Sequence, residues 1–311
     1  MIDSGPGGPI LEYLRVEGIQ EIDTVILSHA DSDHIRGLIA MLDAGFPVKR
    51  IVFNSDAAKS SKLWTAFVYS VDDLKRSGKL LEVIEAVEGV RIDTVAPSVK
   101  IELLAPRLRL TKIGAGGTDL EHKLIKSNTM SVVAMIRVSE YPLLLFTGDI
   151  DSVGCDHLLD SKIDLSADYL VLPHHGGFMG TSSKTILALE ALCLAVGPKE
   201  VFISNGRGGS HNPQPVVVGT VRQTIPLARI ACAQLSTRCG ALPGPTDPSS
   251  ASPYAQGQES GFSCAGTIRL TSSDGIRVHR DTSRHDAFMA RHAPGALCHS
   301  KAALAPAVDA P

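Results

Sequence analysis

No stretch of this chain comes near the roughly 18 consecutive apolar residues that a membrane-spanning helix needs. The opening MIDSGPGGPI lacks both the basic start and the apolar centre of a secretory signal, so a cytoplasmic protein is expected. Charge of one sign is missing too. Thirty basic against 33 acidic residues leave a net charge of −3, which argues against a basic nucleic-acid coat while allowing a local basic groove. The cysteines at 155, 193, 232, 239, 264 and 298 include no CxxC pair, and each is expected as a small buried hydrophobe in a reducing compartment. There is no G-x-S-x-G elbow, so covalent acyl transfer finds no support. Neither a P-loop nor a dinucleotide fingerprint is present; the glycines at 114, 116 and 117 stand alone in a polar loop.

What is present centres on Thr24 to Gly37, TVILSHADSDHIRG. A short apolar run reads as a buried strand. His29, Asp31, Asp33 and His34 follow within six positions, and Ile35, Leu38, Ile39 and Leu42 then take up helical spacing. Carboxylates this close raise one another's pKa unless a cation compensates, and a divalent metal is the simplest cation.

Elsewhere strands alternate with helices. Met1–Gly5 reads as a strand end and turn, 11–18 as a short helix, 49–53 as a strand, and 60–76 as an amphipathic helix capped by Ser60 or Ser61. Strands at 90–95 and 101–104 precede a polar, Gly-rich loop over 107–127 that is expected to be mobile. A hairpin over 129–146 turns at Glu140-Tyr141-Pro142 and runs into Thr147-Gly148-Asp149. Helices at 152–159 and 182–192, the latter capped by Ser182 or Ser183, flank a strand at 169–172 that ends in Pro173-His174-His175-Gly176-Gly177. A strand at 200–204 leads to a loop holding His211, then a helix started by Pro213 or Pro215, and a strand at 228–233. Residues 236–263 read as an exposed Ser/Pro/Gly-rich insertion, 266–270 and 275–279 as a last hairpin, and 281–311 as a tail without fixed structure. One domain over 1–280 is therefore expected, α/β and layered, with its site at the strand ends.

Three further clusters sit at strand ends: Asp149, His174 with His175, and His211. Asp149 could instead cap the following helix. On an extended strand His174 and His175 would point to opposite sides, leaving one as a ligand and the other as its support. His211 could be a plain loop residue.

The ordered set SHADSDHIRG, TGD and LPHHGG resembles the metallo-β-lactamase superfamily, and within it the hydrolase domain of the competence protein ComEC/Rec2. The resemblance implies a four-layer αββα sandwich, here without the one or two strands that precede the IDTG turn. It implies two divalent ions, Zn²⁺ or Mn²⁺, held by His29, Asp31, Asp33, His34, Asp149, His174, His175 and His211. Asp33, Asp149 and His175 take catalytic roles, and Asn128 and Ser182 become substrate contacts, with Ser131 completing the Asn-x-x-Ser strand. Asp31 stands where the superfamily usually has a second histidine. Between His34 and Asp149 the only histidine is His122, so the usual third ligand of the first metal is missing or replaced, by Asn128 ahead of His122. The implied activity is hydrolysis of a phosphodiester in nucleic acid or a nucleotide by metal-activated water. Alternatives are an ester or lactam hydrolase, and a non-catalytic scaffold or partner-binding protein on the same fold.

Overall fold

The computed structural model describes residues 1–56, 59, 61–207, 211–239, 260–272 and 278–299. They form two compact units. The first is Met1–Tyr141 with Phe146–Ile163, and the second is Pro142–Leu145 with Asp164–Pro311.

The first unit opens with a short segment whose Ile2 bridges Ile26 in parallel. Helix α1 (Pro9–Val16) follows, then strand β1 (Ile22–Ile26), helix α2 (Ser32–Asp43), strand β2 (Val48–Phe53) and helix α3 (Lys62–Arg76). Ser61 caps α3 by accepting from the Trp64 amide. Strand β3 (Glu82–Glu85) escaped the sequence reading, because three of its four residues are exposed and no alternation marks it. β1, β2 and β3 pair in parallel. Side chains alternate along these strands. Val25, Leu27 and Ile51 enter a core with Ile35, Leu38 and Met41 of α2 and Trp64, Phe67 and Val71 of α3. Ile26 and Val52 face the other way, toward Ile92, Leu103, Val132 and Ala134.

That second core belongs to β4 (Arg91–Asp93), β5 (Val99–Ala105) and, after helix α4 (Leu108–Ile113), β6 (Val133–Val138). These three pair antiparallel. The first unit is thus three layers deep, helices over a parallel sheet over an antiparallel one. The 107–127 stretch, expected as a mobile loop, is folded: it contains α4, and Leu110 and Ile125 pack with Met130. Polar composition hid that anchor. Ser139 and Glu140, both left-handed (φ 49° and 67°), join β6 to β7 (Tyr141–Phe146). The turn thus starts one residue and ends two residues earlier than expected, and Pro142 lies within β7. Helix α5 (Ser152–Leu159) follows and is capped by Asp151, which accepts from the Gly154 amide at 2.9 Å.

In the second unit, β8 (Tyr169–Val171), helix α6 (Ser182–Val196), β9 (Glu200–Ile203), helix α7 (Pro215–Thr224) and β10 (Arg229–Cys232) alternate. The strands pair in parallel, β8 and β10 on either side of β9. Thr181 caps α6, not Ser182 or Ser183. Of the expected 236–263 insertion, residues 240–259 lie outside the described residues. The last hairpin, β11 (Thr271–Ser272) with β12 (Val278–His279), pairs antiparallel, and its Ser273-Asp274-Gly275 turn also lies outside them.

Residues 281–311 were expected to lack structure, and 300–311 of them lie outside the described residues. Instead helix α8 (Ser283–His292) forms and buries His285, Phe288 and Met289. Their i, i+3, i+4 spacing is one helical face, which the surrounding charged and alanine residues obscured. No helix among the described residues is long and apolar enough to cross a membrane.

Candidate metal centre

The site starts where β1 ends. Asp3 sits at the opening turn with φ 51° and makes three short contacts. Its Oδ1 accepts from the Ser28 amide at 2.7 Å, and its Oδ2 from the Ser28 hydroxyl at 2.6 Å and from His34 Nδ1 at 2.7 Å. Ser4 ties the same turn to α2: its hydroxyl donates to the His34 carbonyl at 2.7 Å and accepts from the Leu38 amide at 2.8 Å. The approach is close enough that a Cβ on Gly37 would stand 2.2 Å from the Ser4 carbonyl oxygen.

These contacts fix both imidazoles. An ionised carboxylate only accepts, so His34 Nδ1 carries a proton and turns Nε2 away from Asp3. The Ser28 hydroxyl spends its proton on Asp3, so at 3.0 Å it accepts from His29 Nδ1. His29 Nε2 is then the ring nitrogen turned toward the site, and that atom is buried with no hydrogen-bond partner. One carboxylate therefore presets the tautomer of one ring directly and of the other through Ser28.

Asp149 faces these rings, with Oδ1 at 3.5 Å from His34 Nε2. Its position depends on Ser131, whose hydroxyl accepts from the Asp149 amide at 2.9 Å. Gly148 (φ +51°) permits the turn: a Cβ there would lie 2.4 Å from Ser131 Oγ and 2.8 Å from Ser28 Cβ. Because Asp151 caps α5, Asp149 has no capping duty and is left to the site. Donor atoms of His29, His34 and Asp149, all buried, lie within 4.8 Å of one another. Ligand bonds of about 2.0–2.1 Å place tetrahedral donors roughly 3.3 Å apart, so small side-chain shifts close this group on an ion.

Charge favours a cation as well. Burial opposes a proton on His34, yet hydrogen bonds to Asp149 and Asp3 outweigh it and raise its pKa to about 11. The pocket thus holds positive charge on an imidazole when no ion is present. Asp31 lies 3.5 Å from His29 Nε2 and pairs with Lys59. Its carboxyl is held well below the usual range, first by His29 and then, against burial, by Lys59. Asp33 is exposed in the first turn of α2, 3.9 Å from His34 Nε2. Beside His29 opens a small recess lined also by Asn54, Asp56 and Ser127, and Asn54 Oδ1 is a second buried acceptor without a hydrogen-bond partner there. Unpartnered buried polar atoms are costly unless a guest satisfies them. The residues present fit a divalent ion.

Asn128 begins a one-turn 3₁₀ helix, Asn128–Met130, and its carbonyl accepts from the Ser131 amide at 3.1 Å. His122 sits exposed on a left-handed turn (φ 59°), its amide donating to the Asp119 carbonyl. It is not in the His29–His34–Asp149 grouping.

The remaining predicted residues belong to the second unit. His174 and His175 are not on an extended strand: both are left-handed, φ 52° and 55°, in the short 3₁₀ turn after β8. The expected opposite orientation fails with that geometry. His175 Nδ1 donates to the Ser204 carbonyl at 2.5 Å, which turns its Nε2 away from that carbonyl. The Asn212 amide donates to the His174 carbonyl at 3.1 Å and latches the His211 loop to the histidine turn. His211 itself is exposed, with Nδ1 3.0 Å from Thr237 Oγ1. Ser182 is exposed at the start of α6.

Asp3, Ser4, Ser28 and Lys59 were not anticipated. Nothing in periodicity links residue 3 to residue 34; the only trace was a polar DS pair between an apolar start and a glycine turn.

A family model described as "Metallo-beta-lactamase superfamily" matches residues 1–200. The chain belongs to the metallo-β-lactamase superfamily. Its mixed α/β structure is consistent with the superfamily's fold. Among curated proteins, ComE operon protein 3 of Bacillus subtilis (strain 168) is 27% identical over 212 residues, 67% of this chain. The chain spans only 23% of that protein's length. A crystal structure of a diphosphatase from the PhnP family matches 65% of the chain and 66% of its own, at 17% identity and a TM-score of 0.35, too distant to bear on activity.

Proposed function

We propose that this metallo-β-lactamase superfamily member is a metal-dependent phosphodiesterase acting on nucleic acid or a nucleotide. The observation that carries the metal-dependent part is the buried His29–His34–Asp149 grouping, with both rings set by Asp3. The phosphodiester part rests on likeness to the competence-type hydrolase domain.

When bound, one or two divalent ions supply Lewis acidity and a water that ionises near neutral pH. His29 and His34 would hold an ion through Nε2, and Asp149 through a carboxylate oxygen. Asp3 keeps His34 Nδ1 engaged, so the ring cannot turn away as its Nε2 proton leaves. Asp33, exposed on the first turn of α2, would receive a proton and pass it to solvent. The start of α2 also favours negative charge at Asp31 and Asp33 through the helix dipole. We propose His174, His175 and His211 as further ligands, His175 also as proton donor to the leaving oxygen, and Asn128 and Ser182 as substrate contacts. Three carboxylates, Asp31, Asp33 and Asp149, make an oxygen-rich set that suits Mn²⁺ as well as Zn²⁺.

The test is a panel of bis-p-nitrophenyl phosphate, single-stranded DNA and nitrocefin, each with added Mn²⁺ or Zn²⁺, run on wild type and Asp149→Asn. Phosphodiester turnover that needs metal and is lost in the variant supports the reading. Turnover of nitrocefin alone overturns it.

A further inference from the structure

The recess beside His29 has walls of one chemical character. Two parallel neighbours, β1 and β2, run toward it: Ser28, His29 and Ala30 follow the first, and Asn54, Ser55 and Asp56 follow the second. Ser127 and Met130, from the turn before β6, complete the lining. In open α/β sheets ligands bind outside the carboxyl ends of the strands. The hollow measures about 210 Å³ with its open mouth, and its enclosed part has room for one water-sized group.

The side chains say what that group must be. Asn54 Nδ2 donates to the Met130 carbonyl at 3.4 Å, which turns its Oδ1 the other way. Oδ1 is buried and has no hydrogen-bond partner among the described residues. Flipping the amide would set its oxygen against the Met130 carbonyl oxygen, two acceptors facing each other. Asp56 is only 6% exposed, and its carboxylate accepts from the Ser127 hydroxyl. That bond uses the Ser127 proton, while the Ser28 proton goes to Asp3. Both hydroxyls are therefore spent, and Ser55 is exposed to solvent. Asn54 and Asp56 are left offering acceptors, and a buried acceptor calls for a donor. Asp56 is in neither of the groupings whose donor atoms lie within 4.8 Å of one another, which sets the recess apart from the ion site. A hydroxyl brings one proton for two acceptors; an amino group brings two.

We propose that the recess reads a nucleobase by its exocyclic amino group, one N–H going to Asn54 Oδ1 and the other to the Asp56 carboxylate. The inference rests on the reading of this chain as a phosphodiesterase for nucleic acid or a nucleotide, and adds which bases it prefers. Cytosine carries such an amine, and uracil has a carbonyl oxygen in its place, a third acceptor facing two. His29 belongs both to the metal grouping and to the recess wall, so a base read here belongs to a nucleotide at the ion site.

The test compares short oligomers of deoxycytidine and deoxyuridine, whose bases differ only along the edge that carries the amine. Binding to the full chain is read by fluorescence anisotropy in EDTA, so that affinity is measured without turnover. Wild type should bind the cytosine oligomer at least roughly 10-fold more tightly, because uracil leaves both acceptors unpaired. Asp56→Asn keeps the Ser127 bond through its amide oxygen and turns an NH₂ into the recess, so the ratio should fall to near one or invert. Asn54→Leu removes Oδ1, should lower the ratio as well, and decides the matter if Asp56→Asn does not fold. Equal affinity of wild type for the two oligomers, or for neither, overturns the proposal and leaves the recess with an ordered water only. So does a preference that survives in every folded variant. None of these results touches metal-dependent turnover of bis-p-nitrophenyl phosphate, whose absence would instead defeat the hydrolase reading.

Discussion

Replacing Asp3 with asparagine keeps the shape of the side chain and removes its charge. Asp3 and His34 are an almost fully buried pair, their side chains 11% and 5% exposed, at 2.7 Å. Breaking such a pair from one side costs about 3–5 kcal/mol. The amide oxygen can keep one Ser28 bond, so a loss of about 3 kcal/mol in the metal-free protein is expected, read by urea unfolding. With the NH₂ in the Oδ2 place it meets the Ser28 hydroxyl and His34 Nδ1, both of which now donate to Asp3; flipped, it meets the Ser28 amide and leaves that donor without its acceptor. The first arrangement upsets the preset tautomers of both rings, and the second strains the turn that holds them. Metal affinity should fall roughly 10- to 100-fold, as for other carboxylates that orient metal-binding histidines. Isothermal titration with Mn²⁺ and Zn²⁺, at a urea-free temperature where the variant is folded, measures this. A variant that loses stability but binds metal within about twofold of wild type would refute the orienting role and leave Asp3 as a fold residue alone.

Three other outcomes follow from the geometry. Gly148→Ala places a Cβ 2.4 Å from Ser131 Oγ at a φ of +51° and should cost about 1–3 kcal/mol with weaker metal uptake, seen by thermal unfolding with and without metal. His34 is raised from 6.5 to about 11 in the metal-free chain, so its charged form stabilises the fold fully below about pH 6.5 and that stability drains away as pH climbs toward 11. The metal-free unfolding temperature should therefore fall over that window in wild type and not in His34→Gln. Metal uptake near pH 7 should release about one proton per ion from this ring, measured by calorimetry in buffers of differing ionisation enthalpy. Finally, Arg280 and Glu200 are buried partners, 6% and 5% exposed. Arg280→Ala should lose about 3 kcal/mol by stranding a carboxylate whose pKa burial already raises, and Arg280→Met with Glu200→Leu should recover most of it in urea unfolding.

Most strands other than β3, the capped helix α3 and the polar clusters at strand ends were legible because each rests on local periodicity or a local motif. Local too was the set His29, Asp31, Asp33 and His34, packed into six positions, from which a metal could be argued before any fold was known. Three things were not local. The roles of Asp3 and Ser28 depend on hydrogen bonds that cross 25 to 31 positions. The left-handed backbone at His174 and His175 overturned an orientation argument that was sound only for an extended strand. Helix α8 depends on contacts with β10 and the turn beside it, Arg229 with Asp286 and Cys264 with His285, which no spacing in the chain announces. Composition and pattern thus determined which chemistry this protein could hold, because side-chain charge and ligand type are properties of single residues. Which atoms face one another, and in which protonation state, was decided only when distant segments closed around them and excluded water.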